Sequence, residues 1–379
     1  MVKHCGLQAL AAAYTALLQG FTSNQLSNVR GRLMGGPLKS WEMGTAAEAL
    51  TEYSWPRLSV FNDFAFPPPS TLPTNYSASD VLNIAQSVVS KKPQGSLALI
   101  ANDGSAGDPA SIGVAVLLAN WTRTDLSNTM YADAAGEQLD YLLNHAPRTP
   151  EGAISHRTDQ AQLWSDFVYM VPPFIAYFGS LQGGGGEKNL LQIAYDQCRL
   201  YREGLRDNGG LWRHVAQGSW EDSTHWATGN GWAAAGMLRT LETLNRTTQA
   251  NLFQQHQLDL VDWINEILEA SWAHQKPNGT LLNVIDDPTS FADTASTALI
   301  ASVTYRMAVF THNDHLVSHA NKALGVVKAS IGQDGTLKGT TDPETFHEPI
   351  SPGEYSPEGQ AFVLLLQAAW KAYRDAKTS

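Results

Sequence analysis

The 379-residue sequence predicts an all-α protein in which six helical hairpins close into a ring, an (α/α)6 barrel. Three observations lead there. Apolar residues recur with helical period through almost the whole chain, and strand-like alternation is nearly absent. The segments so marked number about twelve, which pair into six hairpins. The connections between them alternate in length and character, as they do when inner and outer helices alternate and every second loop returns to the same rim.

The helices are expected at 3–18, 41–54, 79–91, 109–121, 130–145, 165–179, 187–204, 229–245, 252–273, 293–308, 314–330 and 357–374. The first carries Lys3 and His4 before a partly apolar run. Gln8 and Tyr14 interrupt that run and no small-residue cleavage site follows, so it reads as an amphipathic helix and not as a signal peptide. In the third, Val81, Leu82, Ile84, Ala85, Val88 and Val89 share a stripe, Ser79 or Asp80 is the candidate cap, and Lys91-Lys92-Pro93 ends it. The last opens on Ser356-Pro357-Glu358, a cap followed by proline at the first helical position, and buries Phe362, Val363, Leu366 and Trp370. Even-numbered helices are the more fully apolar (Trp232 to Leu238, Ala361 to Leu366), as inner helices contacted on all sides should be. The best strand candidate is Ser96 to Ile100. The long loops are 19–40, 92–108, 146–164, 205–228, 274–292 and 331–356. No linker-like stretch divides the chain, so a single domain, 1–379, is expected.

Composition narrows the function. Hydrophobic residues make up 43% and charged residues 16%, the balance of a folded globular chain. Lys and Arg total 25 against 36 Asp and Glu, a net charge of −11, which excludes nucleic acid as a partner. A long polyanion would be repelled, whereas a small anionic sugar entering a locally positive pocket is tolerated. No apolar run reaches the ~18 residues that would span a membrane. Cys5 and Cys198 form no disulfide framework, and no Cys/His set has zinc spacing, so neither metal nor organic cofactor is expected. Sequons at Asn75, Asn120, Asn245 and Asn278 point to secretion, with a cytoplasmic location as the alternative. The oligomeric state is not legible.

Three stretches carry residues suited to chemistry. In Leu163-Trp164-Ser165-Asp166-Phe167-Val168-Tyr169-Met170 a carboxylate lies among aromatics. Burial there would raise the pKa of Asp166 and keep a proton on it near neutrality, as a general acid requires; alternatively Asp166 caps the helix that follows. In Gly107-Asp108-Pro109, Asp108 is either a helix cap or the second carboxylate of a pair, and a cap on an inner helix can be both. In Trp212-Arg213-His214 and the segment from Asp222 to Trp232, the indoles of Trp220, Trp226 and Trp232 suit stacking on sugar rings. Arg213, His214 and His225 offer positive charge or hydrogen bonds; the alternative is a Trp-rich core loop with satisfied histidines. His156-Arg157 and Trp41 are further candidates. Arg157 could equally be a solvated charge and Trp41 a core aromatic. The glycines 183–186 lack a following Lys-Ser/Thr, Asn102 to Asp108 lacks the Glu of a calcium loop, and His347-Glu348, His312 and His315 lack further ligands.

Taken together these motifs resemble the unsaturated rhamnogalacturonyl hydrolases, six-hairpin glycosidases, and more distantly the unsaturated glucuronyl hydrolases. Trp164-Ser165-Asp166 through Pro173-Phe174 is similar to that family's Trp-x-Asp-x-x-Tyr-Met-x-x-Pro-Phe segment, and Asp108 with Gly113 to its Asp-x-x-x-x-Gly segment. Trp226 and Trp232 match the tryptophans of its Trp-x-Arg-x-x-Gly-Trp segment, and Trp41 with Gly44 resembles its first aromatic motif. The resemblance, which runs from about residue 40 to the C-terminus, implies Asp166 as general acid/base and Asp108 as the second catalytic carboxylate. It implies substrate contacts from Trp41, His156, Arg157, His214, Trp226 and Trp232, and Trp164, Arg213 and His225 join them as candidates read from the residues themselves. The implied reaction is hydration of the 4,5 double bond of a non-reducing-end unsaturated uronic acid on a lyase-generated oligosaccharide, such as a pectin fragment. Where the family has Arg this chain has Thr228, a departure that bears on substrate identity and that Arg213 or Arg157 could offset. An inverting glycosidase acting on saturated sugars and a non-catalytic sugar-binding protein are the competing expectations.

Overall fold

The computed structural model describes residues 19–183 and 189–378; the expected helix 3–18, Cys5 and most of the glycine run lie outside the described residues. The α-helices are α1 Ser23–Met34, α2 Ser40–Ser54, α3 Ser79–Lys91, α4 Gly113–Thr122, α5 Met130–Asp140, α6 Phe167–Met170, α7 Pro172–Leu181, α8 Leu190–Leu205, α9 Ala227–Arg246, α10 Gln254–Ala273, α11 Thr294–Thr311, α12 Val317–Ala329 and α13 Pro357–Thr378. Two-residue strands pair antiparallel as β1 Leu163–Trp164 with β2 Val215–Ala216, and β3 Leu281–Leu282 with β4 Ala292–Asp293.

The helical reading holds along the described chain, with four differences. α1 lies inside the expected loop 19–40. It is started by a capping box, the Thr22 hydroxyl accepting the Gln25 N–H at 3.2 Å while the Gln25 side chain accepts the Thr22 N–H at 3.1 Å. The expected helix 165–179 is broken at Val171, because Pro172 and Pro173 cannot supply N–H groups to continue it. The cap of α3 is neither Ser79 nor Asp80. Ala78 stands there in the left-handed region at φ 48°, and Asp80 binds the indole N–H of Trp55 at 2.6 Å. Ser96 to Ile100 forms turns, not a strand; the Leu99 N–H is satisfied by the Gln138 side chain at 2.8 Å. The cap at Ser356 is as expected, its hydroxyl accepting the Gly359 N–H at 3.0 Å.

The chain divides into two compact units. In one, made of the residues through Gly36 together with Ser271 onward, α11 packs on α12 and α13, and α13 packs on α1. In the other, Pro37–Ala270, α3 packs on α4, α4 on α5, and α7 on both α8 and α9. Burial alternates along the sequence. The helices α4, α7, α9, α11 and α13 are buried on nearly every face. By contrast α3, α5, α8 and α12 bury a single stripe. The Cys198 thiol on the buried face of α8 has its pKa pushed up to about 12 by burial.

Two glycines set the site. A Cβ on Gly44 of α2 would collide with Ser111, in the 3-10 turn Asp108–Ile112, and one on Gly236 of α9 would collide with the Val168 carbonyl in α6. Each therefore lets a carboxylate-bearing turn lie directly on a helix backbone. Below them is a buried charge cluster. Arg239 Nη2 donates to Glu52 at 2.6 Å, its Nε lies 3.6 Å from Glu48, and its guanidinium stands 4.6 Å over the Tyr169 ring. Burial raises the Glu48 pKa to about 7, further than Arg239 can pull it down.

Gly236→Ala should cost about 1–3 kcal/mol in urea unfolding through overpacking. A raised folded-state pKa means that Glu48 favours the folded state most below 4.5 and loses that contribution as pH rises through about 7. Glu48→Gln should therefore flatten the decline of the unfolding midpoint between those pH values.

Candidate active site

Three rim loops are joined through their backbones. Ser105 bridges Arg157, and the Ala106 N–H donates to the His156 carbonyl at 2.7 Å. β1 pairs with β2, Trp164 opposite Val215, and the Ser165 N–H donates to the His214 carbonyl at 2.9 Å. Val215 and Asp222 exchange backbone hydrogen bonds at 2.9 and 3.0 Å, folding the loop back on itself. These pairings bring together Asp108, His156, Trp164, Asp166, His214 and Asp222, which are far apart in the sequence.

Neither carboxylate spends its side chain on capping. Asp166 occupies the N-cap position of α6, but its side chain makes no cap hydrogen bond. Instead it lies 3.5 Å from His214 Nε2 and accepts from the Ser165 hydroxyl at 3.1 Å, with 15% of it exposed. Asp108 begins its 3-10 turn beside His156 Nε2 at 3.6 Å. Trp164 lies between the two histidines, its ring stacked on His156 at 5.0 Å and edge-on to His214 at 5.3 Å. On its other side, His214 Nδ1 is 2.9 Å from Asp222, whose second oxygen accepts the Thr224 N–H and hydroxyl.

The electrostatics correct one expectation. Burial favours the neutral form of Asp166, but the close approach of His214, 3.5 Å away, with His156 behind it, holds this carboxyl below its ordinary value. Asp108 is the carboxyl pushed well up, by burial first and then by the charges of Asp103 and Asp166. Burial brings His156 down to about 4, so it is neutral near pH 7. Burial opposes a charge on His214 as well, yet Asp166 and Asp222 on either side raise it. Asp222 is correspondingly lowered despite its burial, chiefly by the His214 hydrogen bond. The surroundings thus bias Asp108 and His214 toward their protonated forms and Asp166 and Asp222 toward their charged forms.

Residues 74–370 match the family described as Glycosyl Hydrolase Family 88. The chain belongs to Glycosyl Hydrolase Family 88. It is 23% identical over 222 residues to the unsaturated rhamnogalacturonyl hydrolase YesR of Bacillus subtilis (strain 168). That alignment covers 55% of this chain and 59% of the relative's length. A possible GH105 family member from Salmonella enterica serovar Paratyphi A superposes with a TM-score of 0.72 at 18% identity, over 93% of each chain. The unsaturated glucuronyl hydrolase of Bacillus sp. GL1 superposes at 0.55 and 12% identity, covering 86% of this chain and 96% of that one. These likenesses show the fold to be the six-hairpin helical barrel, as the periodicity and the Asp166 segment led one to expect.

Within this Family 88 chain, not every residue singled out from the sequence reaches the cluster. Trp226 backs His214, ring centroids 4.5 Å apart, but at 2% exposure it offers little face to a sugar. Trp232, 1% exposed, packs on Tyr169 at 4.3 Å. His225 pairs with Asp207 and is linked by that contact to the end of α8. Arg157 sits at the rim, 3.5 Å from Asp159, and its charge slightly offsets the rise at Asp108. Arg213 is half-buried, its backbone N–H bound to the Leu205 carbonyl at 2.9 Å. Thr228 is buried in the first turn of α9. Trp41 is half-buried at the start of α2, where the Thr45 hydroxyl donates to its carbonyl at 2.7 Å. Asp222 is the residue that sequence reasoning passed over. A carboxylate eight positions after a histidine carries no signal until a hairpin brings the two together. Among the described residues, no group of three or more His, Cys, Asp or Glu is placed to hold a metal ion.

Asp222→Asn should leave the fold intact and lower the pKa of His214, since one of its two flanking charges is removed. Imidazole NMR titration checks this. In the unaltered protein His214 should lose its proton above the ordinary histidine range, while His156 should remain neutral down to about 4.

Proposed function

We propose that the protein hydrolyses oligosaccharides ending in a 4,5-unsaturated uronic acid, releasing that residue from the non-reducing end. The observation that carries the reading is the buried Asp166–His214–Asp222 line facing Asp108 across Trp164. Family 88 membership and the printed activity of the YesR relative support it.

Asp166 is the proton-transferring group. Its proton-exchange partner is His214 Nε2, 3.5 Å away. A sugar closing over the pair removes the remaining water. Desolvation then favours the neutral pair, so the proton moves to Asp166. Asp166 protonates C4 of the enol ether, and positive charge develops at C5 and the ring oxygen. Water adds at C5 and returns its proton to Asp166. The C5 hemiketal opens to a ketone, and C1, now a hemiacetal, expels the remaining sugar as an alcohol. Asp108, kept protonated by burial, donates a hydrogen bond to a ring hydroxyl without adding a second negative charge. His156, neutral and stacked on Trp164, orients Asp108.

A second reading draws on the opposed environments of the two carboxyls, which also suit an inverting hydrolase with Asp108 as acid and Asp166 as base. Saturated substrate separates the two, because only inverting hydrolysis proceeds without the double bond.

Turnover should bleach the near-ultraviolet absorbance of the unsaturated uronide. Asp166→Asn should lower kcat by about 10²–10⁴ or more with the circular dichroism unchanged, and wild-type turnover in that variant ends the assignment. The rate should fall on the alkaline side as His214 loses its proton above 6.5, and Asp222→Asn should move that limb to lower pH.

A further inference from the structure

Trp220 is a large apolar side chain left 42% exposed at the rim of the site. A single exposed indole is ordinary on a protein surface and means nothing alone. What sets this one apart is how it is held. It stands in a tight turn that begins with two consecutive residues in the left-handed region, Gln217 at φ 66° and Gly218 at φ 75°. Two glutamines from the neighbouring loop pin that turn. Gln162, fully buried, donates from its amide nitrogen to the Trp220 carbonyl at 2.6 Å and to the Gln217 carbonyl at 3.3 Å. Its amide oxygen accepts the indole N–H of Trp164 at 2.9 Å. Gln160 accepts the Ser219 N–H at 2.6 Å and donates to the Ser219 hydroxyl at 3.1 Å. A Cβ at position 218 would meet both glutamines, so the turn and its supports fit each other closely.

One buried amide thus fixes two tryptophans at once. Their rings meet edge to face, centroids 5.3 Å apart at 80°. Trp164 is the ring that touches both His156 and His214. Trp220 lies one ring farther from the acid pair and faces solvent. The turn and its supports carry the polar groups of Gln160, Ser219 and the exposed Glu221, which accepts the Gln217 N–H at 2.9 Å. That surface can bind hydroxyls and would repel a second carboxylate.

We propose that Trp220 is a binding platform for the sugar that follows the unsaturated uronate, and that it selects a neutral pyranose there over an acidic one. This rests on the reading of the site given above. A rigid indole presents flat apolar area at little entropic cost, and the face of a neutral sugar ring is its complement. Trp220 contacts no reacting atom. It therefore acts on binding of the leaving sugar and not on proton transfer.

The test compares wild type, Trp220→Ala and Trp220→Phe on three substrates: the unsaturated uronate linked to a neutral hexose, to a uronic acid, and to a methyl group. Trp220→Ala should raise KM about tenfold on the neutral disaccharide, with kcat and the pH profile nearly unchanged. It should leave KM on the methyl glycoside unchanged and narrow the preference for the neutral over the acidic disaccharide. Trp220→Phe should recover part of the loss. Equal changes on the disaccharide and the methyl glycoside, or no change on either, would overturn the platform. If wild type bleaches none of the three, the catalytic reading fails instead. The platform is then judged by calorimetry with the neutral disaccharide, where binding lost in Trp220→Ala supports it and binding retained overturns it.

Discussion

The two-residue pairing of Leu163–Trp164 with Val215–Ala216 is the constraint on which the site depends. It is too short to be a sheet in any energetic sense, and an isolated ribbon of this length would not persist in water. Here it persists because Leu163, Val215 and Ala216 are buried and both strands pack on α8. Its register sets the Trp164 ring against His214 and turns the Asp166 carboxylate toward the same imidazole. A one-residue slip would send each of these side chains to the opposite face. The chemistry is therefore carried by loops, but by loops whose backbone groups bond to one another and leave little freedom.

Charge is arranged with similar economy. Three carboxylates and two imidazoles share a small volume, and burying so many like charges would be costly if each were ionised. The protein eases this by placing His214, whose pKa is raised, between two carboxylates and by leaving the third carboxyl, itself raised, beside a neutral histidine. Trp164 separates the halves.

The helical layout was legible because it is written in periodicity, and periodicity survives without knowledge of the fold. The helix α1 was missed although Thr22-x-x-Gln25 is a capping box and Leu26, Val29 and Leu33 share a stripe, because its polar composition hid a narrow apolar face. The site was legible to the extent that its residues sit in distinctive local strings, as Asp166 does. Long-range partners were not. Asp222 gains its role only through a hairpin closed by backbone bonds, and the ionisation of Asp166 depends on a histidine 48 positions away. Burial alone argued for a raised pKa at Asp166, but a fixed imidazolium outweighs it. The packing of Trp232 against Tyr169 was likewise not written in its local string.

The buried Cys198 has a practical corollary. Its thiol is fully enclosed on α8 and stays protonated at any pH at which the protein is handled. Alkylating reagents react with thiolate and need access, so in the folded chain this sulfur is silent to them. Any labelling of Cys198 therefore marks an opening of α8. Peptide-resolved alkylation in the presence of a sugar then becomes a clock for how far ligand binding tightens the helix layer that supports the Arg239–Glu48–Glu52 cluster and the acid pair above it.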